Sequence, residues 1–103
     1  MKIIMSTRAH NDIYSIFKYI SINSLKYASI TSEMLYSRIN ILEVFPYIGK
    51  YVPESKDKNY RELLYKSYRI IYSISEEINS IYIHSIIHCK RNLKLFLNSN
   101  NLK

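Results

Sequence analysis

Residues 60–91, YRELLYKSYRIIYSISEEINSIYIHSIIHCKR, alternate apolar and polar side chains in three runs while their charge is mostly positive. Alternation with a period of two is the pattern of extended chain, whose successive side chains point to opposite faces of a sheet. The runs cover 60–65, 68–75 and 78–87. Their joins, Lys66-Ser67 and Glu76-Glu77, are short enough for antiparallel hairpins, although neither has the Asn-Gly or Asp-Gly wording that favours tight turns. In the central run, Tyr68, Ile70, Tyr72 and Ile74 point one way and Arg69, Ile71 and Ser73 the other. The first set is expected to meet a helical layer. The second is expected on an open face with Arg69 near one end, available to a ligand.

The chain before this stretch reads differently. Residues 46–59, PYIGKYVPESKDKN, hold both prolines, the only glycine and a mixed charge cluster, so a loop is expected there, with Gly49 in a backbone conformation other residues avoid. Upstream, Ala9, Ile13, Ile16, Phe17 and Ile20 recur at helical spacing and leave Asn11, Asp12 and Lys18 to water. The stripe fades near Asn23 and Ser24. A second stripe, Ala28, Thr31, Leu35, Ile39 and Leu42, runs on until Pro46, which disfavours helical geometry in the residue before it. The apolar run 2–5 is a short strand, and Ser6 and Thr7 are ready to cap the first helix. The tail from Asn92 is expected to form a helical turn around Leu93, Phe96 and Leu97 and then fray. The expected fold is therefore α+β: two antiparallel helices packed on a small, mainly antiparallel sheet, in the order β-α-α-β-β-β with a short C-terminal tail.

A length of 103 residues suits one domain spanning 1–103, with a core that needs neither disulfides nor structural metal. No apolar run reaches the roughly 20 residues that cross a bilayer, and no signal-peptide core is present, so no membrane and a cytoplasmic location are expected. The single cysteine, Cys89, fits a reducing compartment and reads as a small packed side chain. Fifteen Lys and Arg face eight Asp and Glu, a net charge of +7 that favours anionic partners. The excess is +2 over residues 1–57 and +5 over 58–103, so the sheet half is the expected binding half. Enrichment in Ile, Asn, Lys and Tyr is also what an AT-rich genome imposes, which weakens the inference from lysine.

Several segments, in order, resemble one known group of proteins. They are Ala9 with NDIYSIFKYI at 11–20, the second helix ending in Phe45-Pro46, Ile48-Gly49-Lys50 with Val52-Pro53-Glu54, then YRELLY, YRIIY and IIHCKRN. Together they resemble the RelE/ParE superfamily of type II toxin-antitoxin toxins, and most closely its ParE-like branch. The resemblance implies two helices on an antiparallel sheet and a cognate antitoxin whose partly acidic C-terminal segment wraps the toxin. Oligomers are then expected to form through the antitoxin. A net charge of +7 suits such a partner, since it steers an acidic chain to the surface in a salt-sensitive way.

Within that superfamily RelE-like members cleave mRNA in the ribosome, whereas ParE-like members poison DNA gyrase. Cleavage through a ribose 2′-hydroxyl needs a proton acceptor, a proton donor and cations for the phosphate. Arg61, Lys66, Arg69, Lys90 and Arg91 are the candidate phosphate- or target-binding cations, and His88 the candidate for proton transfer. By resemblance Arg69, in YRIIY, matches the arginine that RelE-like enzymes set against the phosphate. Of their two alternating lysines, however, the first is Arg61 here and the second is Leu63, and after Arg91 Phe96 offers no hydroxyl where a tyrosine is needed. The set Arg61, Arg69 and His88 is thus incomplete for a nuclease. Gyrase inhibition without catalysis is the leading expectation. The alternatives are a ribosome-dependent endoribonuclease and a non-toxic, antitoxin-binding corepressor.

Blander roles stand beside these: His88 as a strand-end cap, Arg61 and Arg69 as ion-pair partners of Glu62 or a neighbouring carboxylate, and the eleven tyrosines as packing groups. No cofactor is expected. No metal site is expected either, because four residues of strand separate His84 from His88 by about 13 Å.

Overall fold

In the computed structural model, which describes residues 1–56 and 59–89, Ser6 marks the switch from strand to helix. Its Oγ accepts the Ala9 N–H at 2.9 Å and donates to the His84 carbonyl at 2.8 Å, so one side chain caps helix α1 and ties it to the sheet. The strand before it, β1 (Lys2–Met5), is followed by α1 (Thr7–Ser21) and α2 (Leu25–Ile41), whose own cap is Ser24 accepting from the Tyr27 N–H. Both caps leave the stripes facing inward: Ala9 and Ile13 from α1, and Ala28, Thr31, Leu35 and Ile39 from α2, are buried. Asp12, expected in water, instead uses Oδ2 to accept the backbone N–H of Ile86 at 3.0 Å and pins α1 to the sheet. Helix α2 stops at Ile41, before Pro46, in tightened turns where the Glu43 N–H reaches the Asn40 carbonyl and the Val44 N–H the Ile41 carbonyl.

The three hairpin strands are β3 (Tyr60–Tyr65), β4 (Tyr68–Ser75) and β5 (Ser80–His88). A further two-residue strand, β2 (Lys50–Tyr51), lies inside the segment expected to be loop. Two exposed residues have no alternation to read, so nothing in the sequence marks it. The sheet order is β1-β5-β4-β3-β2, antiparallel except where β1 pairs parallel to β5. The turns are made without glycine: Lys66 and Asn79 take positive φ, 50° and 52°. Asparagine tolerates this readily, whereas a lysine there is strained.

Gly49 has no positive φ. Its requirement is space: a Cβ there would stand 2.5 Å from Tyr72 Oη and 2.6 Å from the Glu62 carbonyl. That hydroxyl accepts the Gly49 N–H and donates to the Pro46 carbonyl, each at 2.9 Å. A buried tyrosine thereby holds the α2–β2 loop on the sheet.

One sheet face meets the helices, packing Leu63, Ile70, Tyr72, Ile81, Ile83 and Ile86 against Ala9, Ile13, Leu35, Ile39 and Leu42. The assignment of Ile70 and Tyr72 to this face follows the sequence reading. The opposite face, expected to be open, carries a second cluster in which Val52 from the loop covers Ile71 and Ile87, with Tyr60 beside it. Register shifts between Ile71 and Tyr72, which pair with Ser85 and Ile83, so His84 is the extra residue of a β-bulge. Among the described residues no helix is long and apolar enough to cross a membrane. The expected helical turn around Leu93, Phe96 and Leu97, and the candidates Lys90 and Arg91, lie outside the described residues.

Candidate functional site

Arg69 does not stand free on its face. Its Nη1 donates to both carboxylate oxygens of Glu54, at 3.0 and 2.9 Å, and Glu62 Oε1 lies 3.6 Å away. Its Nη2 reaches the Cys89 carbonyl at 3.5 Å. Glu54 comes from the segment after β2, where the Val52 N–H bonds the Tyr60 carbonyl and the Ser55 N–H bonds the Val52 carbonyl. Residues 52–55 therefore form a strap over the sheet, fastened by buried Val52 and by the Glu54–Arg69 pair. Glu62 is almost fully buried, and its Oε1 has no hydrogen-bond partner among the described residues. Burial pushes its carboxyl above the usual range, against the opposing pull of Arg69 and Lys50. Burial disfavours the Arg69 cation, but the bond to Glu54 and the charges of Glu54 and Glu62 outweigh it and the guanidinium stays charged.

Arg61 lies elsewhere. It pairs with Tyr72 across β3–β4, which sets it on the helix side of the sheet, whereas Arg69 shares the strap side with Ile71. Its Nη1 donates to the Gly49 carbonyl at 2.7 Å and the Tyr47 carbonyl at 3.4 Å. Its Cζ sits 4.3 Å from the Tyr51 ring centre and 5.2 Å from that of Tyr47. The expected ion pair with Glu62 does not form, because neighbours on one strand face opposite ways; carbonyls and aromatic faces hold the cation instead. Tyr47 in turn hydrogen-bonds Glu76, and that bond, with burial and the Glu76 charge, pushes its phenol up. Tyr47, Tyr51, Asn59, Arg61, Ile74 and Glu76 line a shallow cavity of about 230 Å³.

Lys66 and His88 occupy the end of the sheet at the β3–β4 turn. The Lys66 ammonium lies over the rings of Tyr27 and Tyr65, at 5.2 and 5.7 Å, and its bond to the Tyr27 hydroxyl favours the charged form. His88 pairs with Tyr68 and meets its ring edge-on at 5.7 Å. The five cations and one imidazole singled out by sequence are therefore not gathered. Arg61 is on one face, Arg69 is engaged on the other, Lys66 and His88 mark one end, and Lys90 and Arg91 fall outside the description.

The sequence reading missed a second polar pair. The bulge turns His84 to the strap side, where Nε2 lies 2.7 Å from Ser73 Oγ and the ring meets Tyr60 edge-on. Burial lowers the His84 pKa, so the imidazole is held neutral. The unfolded chain then takes up a proton near the ordinary value of about 6.5 while the folded chain does not. Stability is full above that pH and falls as pH drops below it. Urea unfolding of His84→Gln is expected to lose less stability between pH 7 and pH 5 than the parent chain.

In this arrangement Arg61, Lys66 and Arg69 are each held by groups of the chain itself, and Arg61, Arg69 and His88 are not brought together. What is displayed instead is apolar and aromatic: Val44, Phe45, Tyr47 and Ile48 on the α2–β2 loop, and Tyr27, Ile30 and Met34 along α2 are exposed.

Comparison with known proteins bears on these features. The sequence profile described as ParE toxin of type II toxin-antitoxin system, parDE, matches residues 3–93. Among solved structures, the chromosomal ParDE system from P. aeruginosa superposes with a TM-score of 0.73 at 16% identity, covering 87% of this chain and 97% of that one. The isolated E. coli RelE toxin gives 0.63 at 13% identity, over 99% and 98% of the two chains. The RelBE2 toxin-antitoxin complex from Mycobacterium tuberculosis gives 0.59 at 17% identity, over 84% and 95%. At these identities the structures establish a shared fold. No curated protein sequence matches the chain.

Proposed function

The chain belongs to the ParE toxin family of type II toxin-antitoxin systems, and on that premise we propose that it arrests growth by inhibiting DNA gyrase, without cleaving nucleic acid, until a cognate antitoxin neutralises it. The observation that favours this over mRNA cleavage is the state of Arg69. The cation that a RelE-like nuclease would direct at the scissile phosphate is held by both oxygens of Glu54, with Glu62 behind it. A phosphate at that place would have to displace the Glu54 carboxylate from the guanidinium, with the Glu62 carboxyl close by. Arg61, the other half of the nuclease set, is on the opposite face. Arg69 accordingly serves to hold the strap, and Arg61 and Lys66, with Lys90 and Arg91, supply the charge that meets the target.

The test is gyrase-catalysed supercoiling in the presence of the purified chain, with the ParE-like reading expecting inhibition at stoichiometric concentrations. No effect on gyrase, together with ribosome-dependent mRNA cleavage that disappears in His88→Ala, would replace this reading with the nuclease one. Undisturbed growth on strong induction, with antitoxin binding intact, would leave only the corepressor role.

A further inference from the structure

The shallow cavity at Arg61 is walled by residues from separate parts of the chain. Tyr47 comes from the α2–β2 loop, Tyr51 from β2, Asn59 and Arg61 from the entry to β3, and Ile74 and Glu76 from the end of β4 and the turn after it. Register brings them together. Tyr51 pairs with Arg61 and Arg61 with Tyr72, so these side chains share a sheet face, and Ile74 follows Tyr72 two residues on. At about 230 Å³ the space falls below the roughly 300–1,000 Å³ of sites that enclose a drug-sized molecule, and suits a single planar ring system.

Three kinds of group meet there. The Tyr47 and Tyr51 rings are half-exposed and give apolar faces. The Arg61 guanidinium is fixed before any ligand arrives, by those rings and by the Gly49 and Tyr47 carbonyls. Both of its hydrogen bonds among the described residues use Nη1, which leaves Nη2 to donate to an anion. The Glu76 carboxylate takes the Tyr47 hydroxyl on Oε1, and Oε2 has no hydrogen bond among the described residues. An ionised carboxylate only accepts, so a ring that enters must turn N–H donors toward it. Guanine is the common base that sets two donors side by side on one edge, at N1 and the 2-amino group. Adenine and cytosine place a ring acceptor beside their amino group, and uracil has one N–H between two carbonyls.

We propose that this cavity binds a guanine mononucleotide, with the base stacked on the tyrosine rings, its two donors on the Glu76 carboxylate and its phosphate against the Arg61 guanidinium. A bare inorganic anion is a poor occupant, because in so small a space it would stand against Glu76 as well as Arg61. The site is apart from Arg69 and the strap, and the inference does not depend on which target the toxin acts on. It gives the chain a small-molecule input: a nucleotide seated there covers Arg61 and Tyr47, and ties the α2–β2 loop to the turn after β4 through Glu76.

The experiment is calorimetric titration of the full chain with guanosine monophosphate and adenosine monophosphate, and with the two nucleosides, which lack the phosphate. The nucleosides separate the cavity from the general pull of a +7 chain on anions. Guanosine monophosphate is expected to bind with a Kd of about 1 mM or tighter, and at least about tenfold tighter than adenosine monophosphate, the scale of hydrogen bonds to a charged group. Guanosine should keep that preference over adenosine. Glu76→Gln is expected to abolish it: the exposed side chain can still accept the Tyr47 hydroxyl, but its amide turns a donor toward the guanine donors. Tyr51→Ala should weaken both nucleotides alike, by about fivefold or more, since stacking does not discriminate between purines. An unchanged melting temperature checks that each variant folds. Equal binding of the two nucleotides by the parent chain, a guanine preference that survives Glu76→Gln, or no binding of guanosine monophosphate would each overturn the proposal.

Discussion

Replacing Arg69 by alanine is expected to destabilise the chain by about 3 kcal/mol or more, the range seen when one partner of a buried ion pair is removed. The loss has two origins. Glu62, nearly fully buried and already short of a hydrogen bond, loses the guanidinium 3.6 Å from its Oε1, and Glu54 loses its tie to the sheet, so the strap over Ile71 and Ile87 is released. Urea unfolding measures the effect. Substituting Glu54→Gln and Glu62→Gln in the Arg69→Ala background should return much of the stability, because the uncompensated charges are gone. If Arg69→Ala instead unfolds like the parent chain and yet loses its cellular effect, the guanidinium acts on a ligand and its assignment to the strap is wrong. An alanine scan scored by toxicity alone cannot separate these cases, since a chain that does not fold is not toxic either.

Gly49→Ala is expected to cost about 3 kcal/mol, at the upper end of overpacking effects. The added methyl would stand 2.5 Å from Tyr72 Oη and 2.6 Å from the Glu62 carbonyl, and neither neighbour is a flexible surface group. Tyr72 is fully buried, and its hydroxyl bridges Gly49 and Pro46. Any movement that relieves the clash breaks that bridge and loosens the loop that carries Tyr47 and whose carbonyls hold Arg61. Thermal unfolding should show a drop in Tm of the order of 10 °C for a chain of this size. An unchanged Tm would mean that the loop rests on something other than close packing at this glycine.

The fold was largely legible from the spacing of apolar residues. Tyr60–Tyr65 and Tyr68–Ser75 stand where alternation puts them, and the helical stripes of α1 and α2 face the core. Three features escaped, each for a physical reason. Strand β2 is too short to have a period, so only its pairing with β3 reveals it. The strap is a tertiary effect: Val52 is an isolated apolar residue in a polar segment, and nothing local says that it covers Ile71 and Ile87. The bulge at His84 shifts the alternation of β5 by one residue, so His84 and His88 fall on opposite faces although their separation is even.

The candidate site was legible as chemistry but not as geometry. Sequence marks Arg61, Lys66, Arg69 and His88 as the groups able to meet an anion, and it raises an ion pair as the alternative for both arginines. Arg69 takes that alternative with Glu54, a residue fifteen positions away on the strap. Arg61 does not take it and is held by carbonyls and tyrosine rings instead. Only the register of β3 against β4 puts the two arginines on opposite faces, and register depends on where the turn falls. Glu54 sits in the Pro-rich stretch that composition assigns to loop, where sequence gives no direction to a side chain.

We propose gyrase, and not mRNA, as the target through which the chain stops growth. The most direct measurement is the incorporation of labelled precursors into DNA and into protein within minutes of inducing the chain in bacteria without its antitoxin. DNA synthesis is expected to fall first while translation continues. Translation falling first, with DNA synthesis following, would contradict it and return Arg61, Arg69 and His88 to candidacy as a ribosome-dependent nuclease site.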